Sequence, residues 1–411
     1  MPRVLLVSAY QGLSARVPEV LAGHDLSITV LGAPRGQLLT SSYVDTYQVV
    51  TAGRTDFSAA LAAEPCLFDR EAHFVFFDDD QLLRDLADSD LPTDVKRRCL
   101  AASTDFGLAA LGSKVGQQLL AEAAGVRTPR TQVVRRRDEL PSALRSVGAP
   151  ALVKGDLGGG GAFVRTLDDL HEAQRIRGLD AWLPLLIQEH IAGALISIEP
   201  LFKRGQLLGY LYSQMLRTTG GPNGPSTVRL FLDPPAPEVT EMLAALGSTG
   251  GLHGFANVTM IREQSTGMHY LIECDMRINT WVQFGPRLGM DWGSLITGDM
   301  TGAPRTTSLG PQGRTIHLYP RELESVLADR RWASLRPWLL REPGTWDTRN
   351  AKDAAVEDAE LRSLLSASAV ARGLFMRPAQ RLWNAIPPGP QSALESRGWK
   401  TRGLRCFGIQ A

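Results

Sequence analysis

The residues best suited to chemistry lie in YLIECDMRIN, residues 270–279. Residues 270–272 read as the end of a buried strand, and Glu273, Asp275 and Arg277 follow at alternate positions. Alternation along an extended chain projects all three from one face. Two carboxylates two residues apart can share a divalent cation through hard oxygen ligands. An arginine two residues further on can grip a phosphate or carboxylate with its planar fork. A solvated acidic strand end is written in the same letters, so the stretch gains meaning only from the rest of the chain.

Two lysines stand upstream. Lys154 closes the apolar run 151–154 and precedes GDLGGGGAF, residues 155–163. Gly158, Gly159, Gly160 and Gly161 make a loop whose amides can approach an anion closely. The spacing is not GxxxxGK[ST], and a flexible hairpin turn is the plain alternative. Lys114 opens SKVGQQLLAEAAGVRTP, residues 113–129, a helix with both ends marked. Ser113 is its candidate N-cap, Val115, Leu119, Leu120 and Ala123 its apolar stripe, and Gly125 and Pro129 its stop. A cation in the first turn sits at the wrong end of the helix dipole, which points to a use for Lys114 elsewhere. Gln188 and Glu189 lie in the apolar run LLIQEHIAG, residues 185–193, where they can flank a flat base.

The elements that must position these residues alternate. Residues 3–9 (RVLLVSA) form a continuous apolar run, suited to a strand buried on both faces. A helix over 14–22 and strands over 26–31, 47–51 and 73–78 predict a small parallel sheet. No GxGxxG is present, which disfavours a dinucleotide site. Asp78, Asp79 and Asp80 end the last of these strands, where open α/β sheets bind ligands, although Asp80 also fits as the cap of the helix beginning QLLRDLA. Strand 131–134, helix 140–147 and helix 167–177 surround the glycine loop. Strands 195–202 and 207–215 read as a hairpin closed near Arg204 and Gly205. RTTGGPNGPSTVR, residues 217–229, reads as a loop with an arginine at each end. A helix over 237–246 and a strand over 254–261 lead into the opening stretch. Arg287, in WVQFGPRLG at 281–289, is another candidate anion contact.

At 411 residues the chain is too long for one core, and two to four domains are expected. Its 44 basic and 43 acidic residues leave a net charge of +1, so charge gives no argument for nucleic acid. Cys66, Cys99, Cys274 and Cys406 form no CxxC pair, which reads as reduced thiols in a cytosol. The N-terminal apolar run is too short for a signal peptide, and no stretch approaches the roughly 20 apolar residues of a membrane span. Beyond about residue 310 the pattern turns helical. Val370, Leu374, Phe375, Leu382, Trp383 and Ile386 share one face with Arg372, Arg377 and Arg381 interleaved. That face suits a membrane surface, but docking on the protein's own core is the preferred reading.

Together and in this order, these stretches resemble the ATP-grasp superfamily. The series is a capped helix with an early lysine, a strand-end lysine with a glycine loop, QE in a strand before a hairpin, and E-x-[N/D]-x-R after a strand. The resemblance covers about residues 113–300 and is nearest to the carbamoyl-phosphate-synthase-like, carboxylate–amine ligase branch. It implies an α/β (α+β) chain: an α/β domain over 1–112, a lid over 113–193, a subdomain with the metal site over 194–310, and a mostly helical extension over 311–411. It implies that Lys114 and Lys154 contact ATP phosphates and that the 155–161 loop closes over the triphosphate. Gln188, Glu189, His190 and Ile191 would line the adenine pocket. Glu273 and Asp275 would bind Mg²⁺ or Mn²⁺, while Arg277, Lys154 and Arg217 would cancel charge in the reaction. Asp79, Arg229 and Arg287 are expected near the substrates.

The activity implied is ATP-dependent joining of a small-molecule carboxylate to an amine through an acyl phosphate, in a cytoplasmic protein; many relatives are homodimers, but the oligomeric state is not readable from the sequence. Three departures from the family pattern stand out. Asp275 replaces the usual Asn, and Met276 the usual Pro. Thr259 stands where relatives often carry a further metal ligand. Ile196 stands where many carry a ribose-binding Glu, with Glu199 nearby. These motivate two other readings: a degenerate member that binds nucleotide without turnover, and an enzyme that phosphorylates or carboxylates another acceptor.

Overall fold

The first apolar run becomes β1 (Arg3–Ser8), buried at all but its first residue. It pairs in parallel with β2 (Ser27–Gly32) and β4 (Phe74–Phe77), and β2 pairs in parallel with β3 (Thr46–Val49). The order is β3-β2-β1-β4. A strand covered on both faces has no exposed side to alternate with, which is why β1 and β4 read as unbroken apolar runs. The computed structural model describes residues 3–345 apart from 10–11, 35, 51–53, 159–162, 169–175, 177, 234–236, 302–312, 320 and scattered positions between 329 and 342. Two compact units divide the chain, Met1–Arg314 and Thr315–Ala411.

The C-terminal ends of β1 and β4 are tied by Asp78, whose carboxylate accepts from Ser8 Oγ at 2.5 Å and Ser14 Oγ at 2.7 Å. Asp79 caps the helix Asp80–Asp88 by accepting from the Leu82 amide at 2.8 Å. The cap thus falls one residue earlier than the sequence suggests, and Asp80 turns its side chain elsewhere.

A second sheet is antiparallel, in the order β5-β8-β6-β7. Its strands are β5 (Thr131–Val134), β6 (Ala151–Gly155), β7 (Val164–Leu167) and β8 (Leu185–Glu189). The helix Leu140–Val147 closes one face, with Leu140, Ala143 and Val147 meeting Val153, Leu185 and Ile187 in a small core.

The third sheet holds β9 (Gly193–Lys203), β10 (Gln206–Thr218), β11 (Ser226–Phe231), β13 (Asn257–Glu263) and β14 (His269–Asp275), with the two-residue β12 (Gly254–Phe255) beside β9. The expected β9–β10 hairpin turns at Arg204 (φ 49°) and Gly205 (φ 86°), left-handed conformations that suit a two-residue turn. Strands claim much of the expected 217–229 loop. β10 runs to Thr218, β11 starts at Ser226, and the Thr219 amide donates to the Pro225 carbonyl at 3.0 Å. β-Branched residues on both sides extend the ladder that the glycines and prolines interrupt.

One face of this sheet is apolar. Ile196, Ile198, Tyr212, Val258 and Met260 pack with Leu243 and Leu246 of the helix Glu238–Gly250. Each such buried side chain contributes about 1.5–3 kcal/mol. The other face is polar. Ser197 lies opposite Thr259, Thr259 opposite Glu273, and Asn257 opposite Asp275, so all five point the same way. The expected C-terminal amphipathic face from Val370 to Ile386, Cys406, most of the expected 167–177 helix, and Gly159, Gly160 and Gly161 lie outside the described residues. Among the described residues no helix is long and apolar enough to cross a membrane.

Candidate functional site

β14 changes face within its own length. Met260 pairs with Leu271 and Thr259 with Glu273, leaving Ile272 as the extra residue of a bulge. Leu271 therefore faces the apolar core, while Glu273 and Asp275 face the polar side.

Each carboxylate there has a cation or amide waiting. Lys114 Nζ lies 3.2 Å from Glu273 Oε1 and donates to the Gly158 carbonyl at 2.6 Å. Burial disfavours a charge on Lys114, but Glu273 and Asp275 outweigh it and hold its pKa above the ordinary lysine value. Burial likewise opposes ionisation of Glu273, and Lys114, Lys154 and Arg277 together hold it below the usual range. Asp275 accepts from Gln117 Nε2 at 3.2 Å and from Arg277 Nη2 at 2.9 Å. Gln117 is itself aligned by the Cys274 amide, which donates to its Oε1 at 3.1 Å. Arg277 Nε donates to Asp80 Oδ2 at 2.5 Å, while Asp80 Oδ1 is buried without a hydrogen-bond partner among the described residues.

Burial, with Asp80 and Glu273 close by, pushes Asp275 up to about 8. Three carboxylates crowded in one place are what a dication relieves. Glu273 and Asp275 carry the hard oxygen donors that Mg²⁺ takes. Thr259, opposite Glu273, adds no third carboxylate, and among the described residues no His, Cys, Asp or Glu cluster of three forms a ready metal cage.

Lys154 sits at the end of β6, buried, and donates from Nζ to Gln188 Oε1 at 2.6 Å. Burial pushes it down to about 8. Gln188 in turn donates to Thr131 Oγ1 at 3.1 Å, so its amide is engaged with the lysine side of the site. Glu189 is held by Arg130 through Nε at 3.1 Å and Nη2 at 2.9 Å, which keeps its carboxylate below the usual range. His190 is exposed and Ile191 buried.

Of the arginines expected near substrate, Arg229 is buried on β11 and donates from Nη1 to Glu199 Oε1 at 2.5 Å. Its guanidinium carbon stands 4.4 Å from the Trp281 ring centre. Glu199 also accepts from Ser197 Oγ at 3.2 Å, and Asn279 Nδ2 bridges towards it while donating to Asn257 Oδ1 at 2.6 Å. Glu199 is thus committed to Arg229. Arg217 is half-buried on β10, Arg287 is exposed in the 286–288 turn, and Asp79 serves as a helix cap.

The structure brings Lys114, Lys154, Glu273, Asp275 and Arg277 together on one side of the third sheet. Sequence reasoning missed Asp80's reach to Arg277, Gln117, Asn257, Asn279 and Asp156. Two of these carried a signal. Gln117 lies three residues after Lys114 on the same helix face, and Asn279 continues the 273–275–277 alternation.

No protein-family model matches the chain, and no curated protein matches its sequence. Solved structures do match. The N5-carboxyaminoimidazole synthetase from Staphylococcus aureus, complexed with ADP, superposes with a TM-score of 0.58 at 13% identity, over 81% of this chain and 86% of that one. The phosphoribosylglycinamide synthetase from Anaerococcus prevotii gives 0.52 at 14% identity, over 76% and 79%. The biotin carboxylase domain of Hydrogenobacter thermophilus 2-oxoglutarate carboxylase, a dimer in complex with MgADP, ADP and bicarbonate, gives 0.53 at 15% identity, over 74% and 71%. These proteins share one architecture, and the chain has the ATP-grasp fold.

Proposed function

We propose that this protein is an ATP- and Mg²⁺-dependent ligase that joins a carboxylate to an amine through an acyl phosphate. The observation that carries the reading is the meeting of Glu273, Asp275 and Arg277 with Lys114 and Lys154 on one polar sheet face. The ADP bound to the Staphylococcus aureus synthetase and the MgADP bound to the biotin carboxylase domain support the nucleotide and the metal. The sheet that bears Lys154 and the glycine loop serves as the lid.

In the first step the substrate carboxylate attacks the γ-phosphorus and ADP leaves. Phosphoryl transfer needs position and charge cancellation more than covalent help. Lys114 and Lys154 supply that cancellation on the phosphate side, and Arg277 on the acyl phosphate. Mg²⁺ when bound neutralises phosphate oxygens as a Lewis acid. In the second step the amine attacks the acyl carbon, phosphate leaves, and the amine loses a proton. Asp80 is the carboxylate assigned to take it, with one oxygen on Arg277 and the other, buried, without a hydrogen-bond partner among the described residues.

Calorimetry with Mg·ATP on the native protein and on Glu273→Ala, beside ADP release in a pool of amino acids and amines, tests the reading. Binding that weakens in the variant together with pool-dependent ADP release is expected. A second reading, nucleotide binding without turnover, is favoured by Thr259 in place of a third carboxylate and by an Arg277 fork already shared between Asp80 and Asp275. ATP binding with no ADP release for any acceptor is its signature.

A further inference from the structure

We propose that Asp156 is a positioning residue that joins Lys114 and Lys154 into a single phosphate grip, an inference that rests on the nucleotide reading above. The two lysines belong to different elements, one opening the helix Lys114–Ala123 and the other closing β6. Lys154 is fixed to the second sheet through its strand and Gln188. Lys114 is carried by a helix that packs mainly on the helices Asp105–Ala110 and Glu238–Gly250, so their separation is not set by either element alone.

Asp156 connects them. It lies two residues beyond Lys154, is buried, and donates its amide to the Pro184 carbonyl at 3.2 Å, which anchors it to the entry of β8. Its Oδ1 accepts from Ser113 Oγ at 2.7 Å and from the Val115 amide at 2.9 Å. Its carbonyl accepts from the Lys114 amide at 3.1 Å. The three residues that start the helix therefore hang on one residue of the β6 end. Ser113 Oγ passes the link on by accepting from the Gly116 amide at 3.0 Å.

The far side of the joint has no slack. A Cβ on Gly116 would lie 1.9 Å from the Ala109 carbonyl oxygen, so the helix start is already pressed against its neighbour. A carboxylate at this end also takes up the positive pole of the helix and its first amides. Phosphate recognition is left to the lysine side chains, and Asp156 sets where the two of them point relative to each other.

The consequence separates phosphate binding from base binding. Mg·ATP needs both lysines in register, whereas adenosine carries no phosphate and needs neither. Calorimetry on the full chain with Mg·ATP and with adenosine is the test, using Asp156→Ala, Asp156→Asn, Ser113→Ala and Lys114→Ala. Asp156→Ala is expected to weaken Mg·ATP roughly 10- to 100-fold, as loss of charge-assisted hydrogen bonds would, with adenosine affinity held within about twofold. Asp156→Asn keeps an acceptor oxygen for Ser113 and Val115 and is expected to retain most of the affinity. Ser113→Ala removes one donor and is expected to shift Mg·ATP in the same direction by a smaller factor, which keeps the test alive if Asp156→Ala does not fold.

Unchanged Mg·ATP affinity in Asp156→Ala or Ser113→Ala overturns the proposal, as does a parallel loss of adenosine. If Lys114→Ala loses Mg·ATP while Asp156→Ala does not, only the positioning role fails. If the native protein binds no Mg·ATP, the nucleotide reading itself fails.

Discussion

Arg277 and Asp80 meet at 2.5 Å although 197 residues separate them in the chain. The contact joins the second residue after β14 to the first turn of the helix that follows the parallel sheet. It is reinforced next door, where the Ile278 amide donates to the Phe77 carbonyl at 2.8 Å. Arg277 is thereby held between Asp80 and Asp275, and although burial acts against its charge, those carboxylates raise its pKa above the ordinary value.

If Asp80 takes the proton of the attacking amine, Asp80→Asn removes the acceptor and leaves the ATP-binding groups in place. Turnover is expected to fall about 100-fold, the lower range for loss of a general base, with the KM for ATP changed less than about threefold. Steady-state ADP release with saturating acceptor reads both. A KM effect equal to the kcat effect would assign Asp80 to nucleotide binding instead.

Glu273 and Asp275 predict a metal-linked affinity. In the native protein Mg²⁺ is expected to tighten ATP binding, and in Glu273→Gln that gain is expected to shrink at least about tenfold, the scale of one lost charged ligand. Titrating ATP with and without Mg²⁺ on both proteins measures it. An equal Mg²⁺ effect in the two would remove Glu273 from the metal site.

Lys154 gives a pH dependence. Burial sets its value near 8 in the free protein, so it is charged below that pH and neutral above. Bound phosphate favours the charged form, and without Mg²⁺ no proton is drawn from Asp275, so the contribution of Lys154 to binding of metal-free ATP is expected to be full below about pH 7.5. Above pH 8 the affinity for metal-free ATP should fall by up to about tenfold per unit, with a proton taken up on binding. Calorimetry with metal-free ATP at pH 8.5 in two buffers of different ionisation enthalpy detects that proton, and Lys154→Met is expected to abolish it. Identical heats in the two buffers would count against a neutral Lys154.

The buried pair of Arg229 and Glu199 predicts a stability effect distinct from any catalytic one. Arg229→Met leaves the Glu199 charge buried and is expected to cost about 3–5 kcal/mol. Adding Glu199→Leu is expected to recover most of it, because the stranded charge is then gone. Urea unfolding of the single and double variants decides, and a double variant no more stable than the single one would place the cost in packing against Trp281.

Much of this architecture is legible in the sequence, for identifiable reasons. β1 and β4 announce themselves because a doubly covered strand must be apolar throughout. The helix Lys114–Ala123 does so because Ser113 and Gly125 mark its ends, and the misplaced charge of Lys114 is explained by Glu273 across the site. Contacts between distant segments left no such trace. Asp80 and Asp79 are adjacent and identical in type, and only the tertiary position of Arg277 decides which one caps and which one pairs. Asp156 reads as an ordinary loop residue because its partners lie at 113–115. The strand β14 was legible only in part. Counting alternate residues from His269 and Leu271, which face the core, assigns Glu273 and Asp275 to the core as well, and only the bulge puts them on the polar face.

That bulge has an unusual property as a target for deletion. Met260 pairs with Leu271 and Thr259 with Glu273, so the chain without Ile272 would form an unbroken ladder with every one of those pairings kept. Shortening a strand by one residue normally turns everything beyond the cut inside out. Here it would straighten the backbone and leave both carboxylates on their own side, so that a single codon removed would show how much of the site depends on which groups are present and how much on the bend that aims them.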